Sequence, residues 1–339
     1  MSEHFQGVWV VAELTTEGNL TETSQELMTP ARRLGDKLGQ PVTGVILSGN
    51  RDTSAAEAML GQLGANQVIV AKDDKLGEYQ AEVYTVALSE LANARKPDVI
   101  LMGISSNTAD YAPRVAIRTG GGLITNAMDL DLNEQNLVEV TRSCFAESLL
   151  SSVVADKRPQ LVTVKKKAFP KPVANGAHNA SVETASLNLG SVQPRTKMVN
   201  VQQTESKGTK KLEEADIIVS GGRGLKGPEN FYLVEELASA LGGAVGASRA
   251  VVDAGWRPHS EQVGQTGKTV SPKVYFALGI SGAIQHLVGM NTSQIIIAIN
   301  RDENAPIFKM ADFGIIGDAT EIVPELVRTI KEQNLALNV

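Results

Sequence analysis

The sequence predicts an α/β protein built from two three-layer α/β/α domains with mostly parallel sheets. Short apolar runs alternate with amphipathic helical patterns, which is typical of parallel strands covered by helices on both faces. The alternation fills the first half of the chain, gives way to a polar stretch at 165–211, and restarts at Ala215. The chain has 339 residues, enough for two domains of ordinary size. We expect the boundary near Ser206, which gives domains over 1–205 and 206–339.

Strand and helix signals alternate four times in the N-terminal half. Apolar runs predict strands at 8–12, 42–47, 67–70 and 98–102. Helical spacing predicts helices at 27–38, 54–63, 78–94 and 108–118, with Asn107 as the cap of the last one. Beyond Leu123, alternating patterns predict antiparallel strands that extend the sheet, at 129–132, 137–142 and 160–164.

Two features of this half leave alternatives open. Residues 103–107 follow a predicted strand, and they form either an ordinary turn or a surface that faces a ligand or partner. The cluster of Lys165, Lys166 and Lys167 is either a solvated domain boundary or a docking patch.

The C-terminal half repeats the alternation. Apolar runs predict strands at 215–219, 274–278 and 294–299, and residues 244–249 are predicted to form a short strand and turn. Two apolar stretches, at 307–308 and 313–316, then lead to Asp318. Helical spacing predicts one helix at 233–241 and a last helix that begins near residue 320. Thr320 is its expected cap, and Pro324 is expected in its first turn.

Composition narrows the classes of function. A net charge of −6 argues against a general nucleic-acid binder, which usually carries a basic face. The single cysteine, Cys144, excludes a disulfide framework and a cysteine-based metal site within the chain, and its expected role is structural. No apolar run approaches the ~20 residues of a membrane span. The N-terminus lacks the pattern of a signal or transit peptide, so we expect a cytoplasmic protein without membrane insertion.

Residues 262–290, called here the 262–290 segment, form the most informative stretch. Glycine turns flank the apolar run at 274–278, and polar side chains surround both turns. Glycine lets a backbone approach a flat polar ligand closely. The run Gly264–Thr269 resembles half of a P-loop with wrong spacing, so nucleotide hydrolysis is not expected. His286 is expected to be neutral, either as a packing histidine or as part of this cradle.

Catalytic constellations are missing from the sequence. The turn at 221–224 lacks the spacing of a dinucleotide fingerprint, and no Ser-His-Asp, Cys-His or paired-carboxylate pattern stands out. Arg223 and Arg249 follow two predicted strands, which favours an anionic ligand. We therefore expect a bound cofactor to carry the chemistry and the protein to orient it. From these residues alone, the alternative is an adenylate-binding α/β sensor.

Several motifs in the C-terminal third closely resemble the α subunit of electron transfer flavoproteins, the FixB/ETF-α family. In order, they are GRGLK at 222–226, VGASRA at 245–250, VDAG at 252–255, QVGQTGK at 262–268, GISGAIQH at 279–286 and API at 305–307. In the N-terminal half the best local match is PRVA at 113–116. The resemblance implies a Rossmann-like, FAD-binding C-terminal domain and an N-terminal domain that packs on a β subunit.

The resemblance also assigns roles to individual residues. Arg223 and Ser248 would contact the pyrophosphate, and Arg249 would lie against the isoalloxazine and favour its negative reduced forms. The flavin would be lined by Val263, Gly264, Gln265 and Thr266, with the Thr266 hydroxyl near N5. The ribityl and ring portions would be wrapped by Ser281, Gly282, Ala283, Ile284, Gln285 and His286, with His286 near O2. Asn300 and Asp318 would hold the adenosine end.

Two versions of the family remain open. In the ordinary version the heterodimer carries one FAD and an AMP, and it takes electrons from acyl-CoA dehydrogenase or a similar flavin dehydrogenase, as in fatty acid β-oxidation. In the bifurcating version a second FAD, held mainly by the β subunit, accepts hydride from NADH. The implied acceptors are a quinone oxidoreductase or a ferredoxin or flavodoxin. The chain would thus be an electron carrier rather than a stand-alone enzyme.

Overall fold

The computed structural model describes residues 4–145, 149–176, 178–200, 212–213 and 215–333. It divides into two compact units, Met1–Val201 and Gln202–Val339. The predicted boundary at Ser206 lies outside the described residues. Within the described ranges, no helix is both long enough and apolar enough to cross a membrane.

The described part of the N-terminal unit forms a nine-stranded sheet with helices on both faces. Its strands are β1 (Val8–Ala12), β2 (Val42–Ser48), β3 (Gln67–Lys72), β4 (Val99–Gly103), β5 (Gly122–Leu132), β6 (Val138–Cys144), β7 (Leu149–Val154), β8 (Gln160–Val164) and β9 (Ser181–Ala185). Its helices are α1 (Glu22–Glu26), α2 (Met28–Leu38), α3 (Ser54–Gln62), α4 (Ala81–Arg95) and α5 (Ser106–Thr119).

The strand order of this sheet is β7-β6-β5-β8-β4-β1-β2-β3-β9. Only β6 runs antiparallel to its neighbours, β5 and β7. The prediction that 160–164 forms an antiparallel strand is therefore wrong, because β8 pairs in parallel with both β4 and β5. Its five residues are all buried, as expected of a parallel strand covered on both faces.

Alternate residues of the central strand β1 pack against opposite helical layers. Val8 and Val10 join one hydrophobic core with residues of α2 and α3. Trp9 and Val11 join a second core with residues of α4 and α5. This alternation confirms the three-layer arrangement in the N-terminal unit.

The start of α5 differs from the prediction. Ser105, not Asn107, is the cap: its Oγ accepts the Thr108 N–H at 3.1 Å, and Thr108 Oγ1 accepts the Ser105 N–H at 2.8 Å. This reciprocal pair satisfies two backbone donors at once, whereas Asn107 already lies inside the helix.

The described part of the C-terminal unit forms a five-stranded, wholly parallel sheet. Its strands are β10 (Ile217–Gly221), β11 (Ala244–Ala247), β12 (Val274–Leu278), β13 (Ile295–Asn300) and β14 (Phe313–Ile316). Its helices are α6 (Tyr232–Leu241), α7 (Arg249–Asp253), α8 (Ile284–Leu287) and α9 (Ala319–Glu332).

The two faces of this sheet are covered differently. Val219 and Phe276 pack with residues of α6, α7 and α9. Ile218 and Tyr275 face the other way, where the 262–290 segment contributes Val263, among others, to the core. On that face the helix of the segment, α8, has only four residues.

The last helix begins two residues earlier than its predicted cap implies. Asp318, not Thr320, is its cap, because the Asp318 carboxylate accepts the Thr320 N–H at 3.0 Å. A carboxylate at this position also complements the positive end of the helix. Pro324 lies beyond the first turn, inside the helix, and not in the first turn as predicted.

The strand order β11-β10-β12-β13-β14 places a topological switch point between β10 and β12. The glycine turns that follow these two strands touch there. Gly222 N–H donates to Leu278 O at 2.8 Å, and Gly224 N–H donates to Gly279 O at 3.0 Å. A Cβ on Gly222 would lie 2.3 Å from the Gly279 carbonyl oxygen, so a side chain at this position would force the turns apart.

The contact can be tested with a pair of glycine substitutions. Gly279 has a φ of 61° and an added Cβ would lie 2.8 Å from the Gly224 backbone, whereas Gly242 has a similar φ of 65° and open space around it. We expect Gly242→Ala to lower the free energy of unfolding by about 1 kcal/mol, the cost of a left-handed alanine. Gly279→Ala should cost clearly more, because the methyl group also separates the turns. Equal losses in urea unfolding would contradict the role of the contact.

Candidate functional site

The turns that follow β10, β11, β12 and β13 all lie at the C-terminal edge of one parallel sheet. Ligands of such sheets bind at this edge, beside the switch point. A crevice of about 350 Å³ lies here, close to the contact between the two glycine turns. Its lining residues are Gly224, Gly279, Ile299, Asn300, Arg301, Asp302, Gly317 and Ala319.

Asn300 lines this crevice, and Asp318 lies in the chain between two lining residues, Gly317 and Ala319. Both side chains also hold the backbone in place. Asn300 donates from Nδ2 to Ile280 O at 2.9 Å, which fixes the turn after β12. Asp318 accepts a hydrogen bond from Lys226 Nζ at 2.7 Å. This bond, with the bonds from Thr320, holds the pKa of the Asp318 carboxyl well below its usual range. Arg301 Nη1 lies 3.9 Å from the same carboxylate, so two cations surround one acid.

Arg223, Ser248 and Arg249 occupy two neighbouring strand ends. Arg223 lies in the 3-10 turn after β10 and is exposed. Ser248 follows β11, and its N–H donates to Gly221 O at 3.0 Å, which ties the two strand ends together. Arg249 begins α7 with 63% of its side chain exposed and pairs with Asp253 at 3.2 Å. Two arginine side chains therefore face solvent at the same sheet edge.

Residues 263–266 pass beside the end of β11 and against α8. Val263 N–H donates to Ala247 O at 2.9 Å, and Gln265 N–H donates to Gln285 O at 2.7 Å. Gly264 has a φ of 141°, and a Cβ there would lie 2.8 Å from Gln285 O. Only glycine therefore fits this close passage.

Thr266 keeps a proton available at this surface. Its Oγ1 accepts a hydrogen bond from Gln262 Nε2 at 2.9 Å, so the hydroxyl hydrogen remains free to donate elsewhere. Gln262 is buried, whereas Gln265 and Thr266 are exposed. The buried amide thus orients an exposed hydroxyl donor.

The turn after β12 presents exposed backbone and side chains. Ser281, Ala283, Ile284 and Gln285 are exposed, with Ile284 at 69%. Gly282 is buried with a φ of 86°, and a Cβ on it would lie 2.3 Å from Ile307 N. This turn is therefore held in place by the backbone at Ile307 and is exposed to solvent on its other side, as a ligand-binding surface requires.

His286 differs from its neighbours because its side chain is buried, with only 6% exposed. Its Nε2 lies 3.0 Å from the hydroxyl of the fully buried Tyr275. The Val263 carbonyl favours the protonated ring slightly, but Nδ1 makes no well-aligned hydrogen bond within the described residues. Burial dominates and lowers the pKa of His286 from 6.5 to about 4. The imidazole is therefore neutral at physiological pH, as predicted.

The arrangement suits a flat, polar, anionic cofactor. Glycine backbone lies at the switch point, and exposed arginine side chains and a threonine hydroxyl donor lie along the same edge of the sheet. Among the described residues, no group of three or more His, Cys, Asp or Glu side chains could hold a metal ion.

Comparison with known proteins decides the family. Residues 8–189 match the electron transfer flavoprotein domain, and residues 211–291 match the electron transfer flavoprotein FAD-binding domain. The chain belongs to the electron transfer flavoprotein family. Its C-terminal unit carries the FAD-binding domain of that family, and its role is electron transfer.

Relatives match this electron transfer flavoprotein over nearly its whole length. The electron transfer flavoprotein subunit alpha of Thermoanaerobacterium thermosaccharolyticum is 43% identical over 97% of this chain and 98% of its own. Protein FixB of Clostridium saccharobutylicum is 42% identical over 97% of both chains. The acryloyl-CoA reductase electron transfer subunit beta of Anaerotignum propionicum is 39% identical over 97% of this chain and 96% of its own. The resemblance to the α-subunit family is thereby confirmed.

The residues singled out in the sequence lie on segments of the C-terminal unit that meet at one sheet edge. Asn300 lines the crevice, and Asp318 follows β14 beside it. The others lie on the turns after β10, β11 and β12 and on residues 263–266. Tyr275 was not singled out, although its hydroxyl is bonded to His286. Tyr275 lies in a predicted buried strand next to a polar turn, and this position could have indicated that its hydroxyl contacts the site.

The buried histidine predicts a specific pH dependence of stability. Between pH 6.5 and about 4, the unfolded chain binds a proton at His286 that the folded chain does not bind. Stability from this group is therefore complete above pH 6.5 and declines as the pH falls, by up to about 3 kcal/mol. We expect His286→Gln to flatten this decline in urea unfolding, whereas His259→Gln, at an exposed position, should keep it. Parallel curves for wild type and His286→Gln would contradict the assignment.

Proposed function

We propose that this chain is the α subunit of a heterodimeric electron transfer flavoprotein. It holds one FAD at the C-terminal edge of its second unit and carries electrons between a flavin dehydrogenase and a downstream acceptor. The observation that carries the proposal is the presence of glycine backbone, two exposed arginines and the Thr266 hydroxyl at the C-terminal edge of one parallel sheet. These groups bind and orient a cofactor but cannot perform redox chemistry themselves, which FAD supplies when bound.

The pyrophosphate and adenosine portions of FAD fit the region around the glycine turns. The backbone of Gly222 and Gly224 permits a close approach, and Arg223 and Ser248 would hold the pyrophosphate. Asn300 and Asp318 would hold the adenosine end at the crevice of about 350 Å³. A carboxylate kept ionised by Lys226 is a suitable acceptor for ribose hydroxyls.

The isoalloxazine fits beside residues 263–266. The Thr266 hydroxyl would donate to flavin N5, because Gln262 already occupies its acceptor side. Arg249 would face the ring and stabilise negative charge on it, a term screened by solvent at a 63% exposed side chain. Residues 281–285 would wrap the ribityl chain with their exposed surface. His286 would approach the cofactor from the protein interior as a neutral imidazole, and Tyr275 would fix the orientation of its ring.

The N-terminal unit carries a surface that fits a β subunit. The β6–β7 hairpin ends the sheet, and β7 is its outermost strand. Phe145, Leu149 and Leu150, at this hairpin, are 80%, 59% and 66% exposed. Apolar side chains along an open strand edge are typical of a surface that is covered in an assembly. We place the β-subunit contact here.

The name of one relative indicates which class of enzyme exchanges electrons with this chain. The Anaerotignum propionicum relative is named as an electron transfer subunit of acryloyl-CoA reductase. We infer that this chain serves acyl-CoA dehydrogenase or a similar flavin dehydrogenase. The other side of the exchange would be a quinone oxidoreductase, a ferredoxin or a flavodoxin.

A visible spectrum of the chain purified with its β subunit tests the proposal. We expect a flavin spectrum with one FAD held by this chain. A second nucleotide in the β subunit would be AMP in an ordinary carrier. Two FADs per heterodimer, bleached by NADH, would instead identify a bifurcating carrier. A complex that stays colourless after reconstitution with FAD would overturn the flavin role and favour an adenylate-binding sensor.

The role of Arg249 can be measured separately. A screened positive charge of this kind is worth about 1 kcal/mol, or about 40 mV for one electron. Arg249→Ala should therefore lower the potential of the bound flavin and reduce the amount of one-electron-reduced FAD in a redox titration. Arg328→Ala, which removes an exposed arginine from α9, serves as the matched control. Unchanged one-electron-reduced FAD in Arg249→Ala would remove this residue from the flavin site.

A further inference from the structure

The N-terminal unit has a second cavity at an equivalent place in its own sheet. We propose that this cavity binds a mononucleotide. It measures about 460 Å³ and lies at the C-terminal ends of β1 and β4. The inference is independent of the FAD proposed above, because all the residues that line this cavity belong to the N-terminal unit.

The topology of the sheet selects this position. β1 is flanked by β2 on one side and by β4 on the other, and all three strands are parallel. The chain passes from β1 to β2 and β3 on one side and then crosses over to β4 on the other. The gap between β1 and β4 is therefore the switch point of this sheet, where doubly wound sheets hold ligands. A volume near 460 Å³ lies within the usual range for small-molecule sites.

Aromatic side chains are concentrated on one wall of the cavity. Three of the five tyrosines of the chain line it: Tyr79, Tyr84 and Tyr111. The Tyr79 and Tyr84 rings are 5.1 Å apart, and the Tyr84 and Tyr111 rings are 5.9 Å apart. Tyr111 is fully buried, whereas Tyr79 and Tyr84 are half-buried. Such a wall suits a planar ring, in a chain with only 4% aromatic residues.

A carboxylate lies at the end of β1. Glu13 Oε1 accepts a hydrogen bond from Ser105 Oγ at 2.7 Å, and within the described residues its second oxygen has no hydrogen bond. Burial raises the pKa of the Glu13 carboxyl, while the Ser105 bond and the charge of Lys166 act in the opposite direction. A fixed carboxyl with a free acceptor oxygen can accept a hydrogen bond from a ribose hydroxyl.

A cation lies on another part of the same lining. Arg51 donates from Nη1 to Thr15 O at 3.2 Å and from Nη2 to Gly77 O at 3.3 Å, so backbone carbonyls hold its guanidinium in place. Within the described ranges it has no acidic partner at ion-pair distance. Thr15 Oγ1 is buried there without a hydrogen bond to any described residue. Guanidinium and hydroxyl groups together suit a phosphate.

The three groups define the ligand class. A planar ring would lie on the tyrosines, sugar hydroxyls would reach Glu13, and a single phosphate would meet Arg51 and Thr15. The Gly103 turn and Ser105 belong to the residues 103–107 for which a ligand-facing surface was one of two expectations. A dinucleotide the size of FAD exceeds this cavity, so a mononucleotide is the matching size.

The proposal is tested on the complex of this chain with its β subunit. The complex is photolabelled with 8-azido-AMP, and the labelled peptides are mapped by mass spectrometry. We expect label on peptides of this chain that contain Tyr79, Tyr84 or Tyr111, and protection by unlabelled AMP. Arg51→Gln should weaken the protecting affinity of AMP about tenfold, the loss of one phosphate contact. Glu13→Gln should weaken it in the same direction, and Arg118→Gln, at an exposed position on α5, should not change it.

Other outcomes would overturn the proposal. These are the absence of label from the N-terminal unit, label confined to the β subunit or to the FAD unit, and protection that both cavity variants leave unchanged. Inorganic phosphate that protects as well as AMP would show an anion site without nucleotide recognition. Failure of AMP, GMP, CMP and UMP alike to protect would exclude mononucleotides. The flavin absorbance, measured on the same samples, reports on folding and on the proposed FAD role separately.

Discussion

In the C-terminal unit, the turns after β10 and β12 pass each other backbone against backbone, and the site depends on this contact. The N–H groups of Gly222 and Gly224 reach across to Leu278 and Gly279. Side chains at these positions would occupy the space through which the neighbouring turns pass. Ser248 attaches the end of β11 to the same place through Gly221. The exposed arginines and the 262–290 segment then stand around one point because the strand ends beneath them cannot spread.

The two units use the same kind of edge in different ways. At the C-terminal switch point, three glycines and one alanine are among the eight residues that line the crevice, so backbone is exposed to a ligand there. At the N-terminal switch point the lining consists largely of side chains, including tyrosines, a carboxyl and a guanidinium. A surface of backbone atoms can bind a long ligand, whereas a cavity lined by side chains selects its ligand by shape and charge. The two proposed sites would therefore recognise their ligands in different ways.

Much of this architecture follows from local pattern. Strands such as β12, fully buried and bounded by glycine turns, are marked by apolar runs in the sequence. The edge strands β7 and β9 were missed because they are largely exposed and lack a continuous apolar run. The direction of β8 could not be read from its residues, since pairing is set by distant strands. The sequence motifs allow site residues to be predicted. The burial of His286 against Tyr275 could not be predicted, because it depends on the fold.

Among the described strands, β7 and β14 each leave one edge of a sheet unpaired, and this bears on how the protein is made in the cell. β7 carries Leu149 and Leu150, and β14 carries Phe313 and Ile316, all with more than half of the side chain in water. An apolar open edge pairs with any similar strand that it meets, including that of another copy. Newly synthesised chain is therefore safest when its partner is already at hand. If the proposed β subunit covers such an edge, each copy of this chain made without it would expose a strand that can pair with another copy.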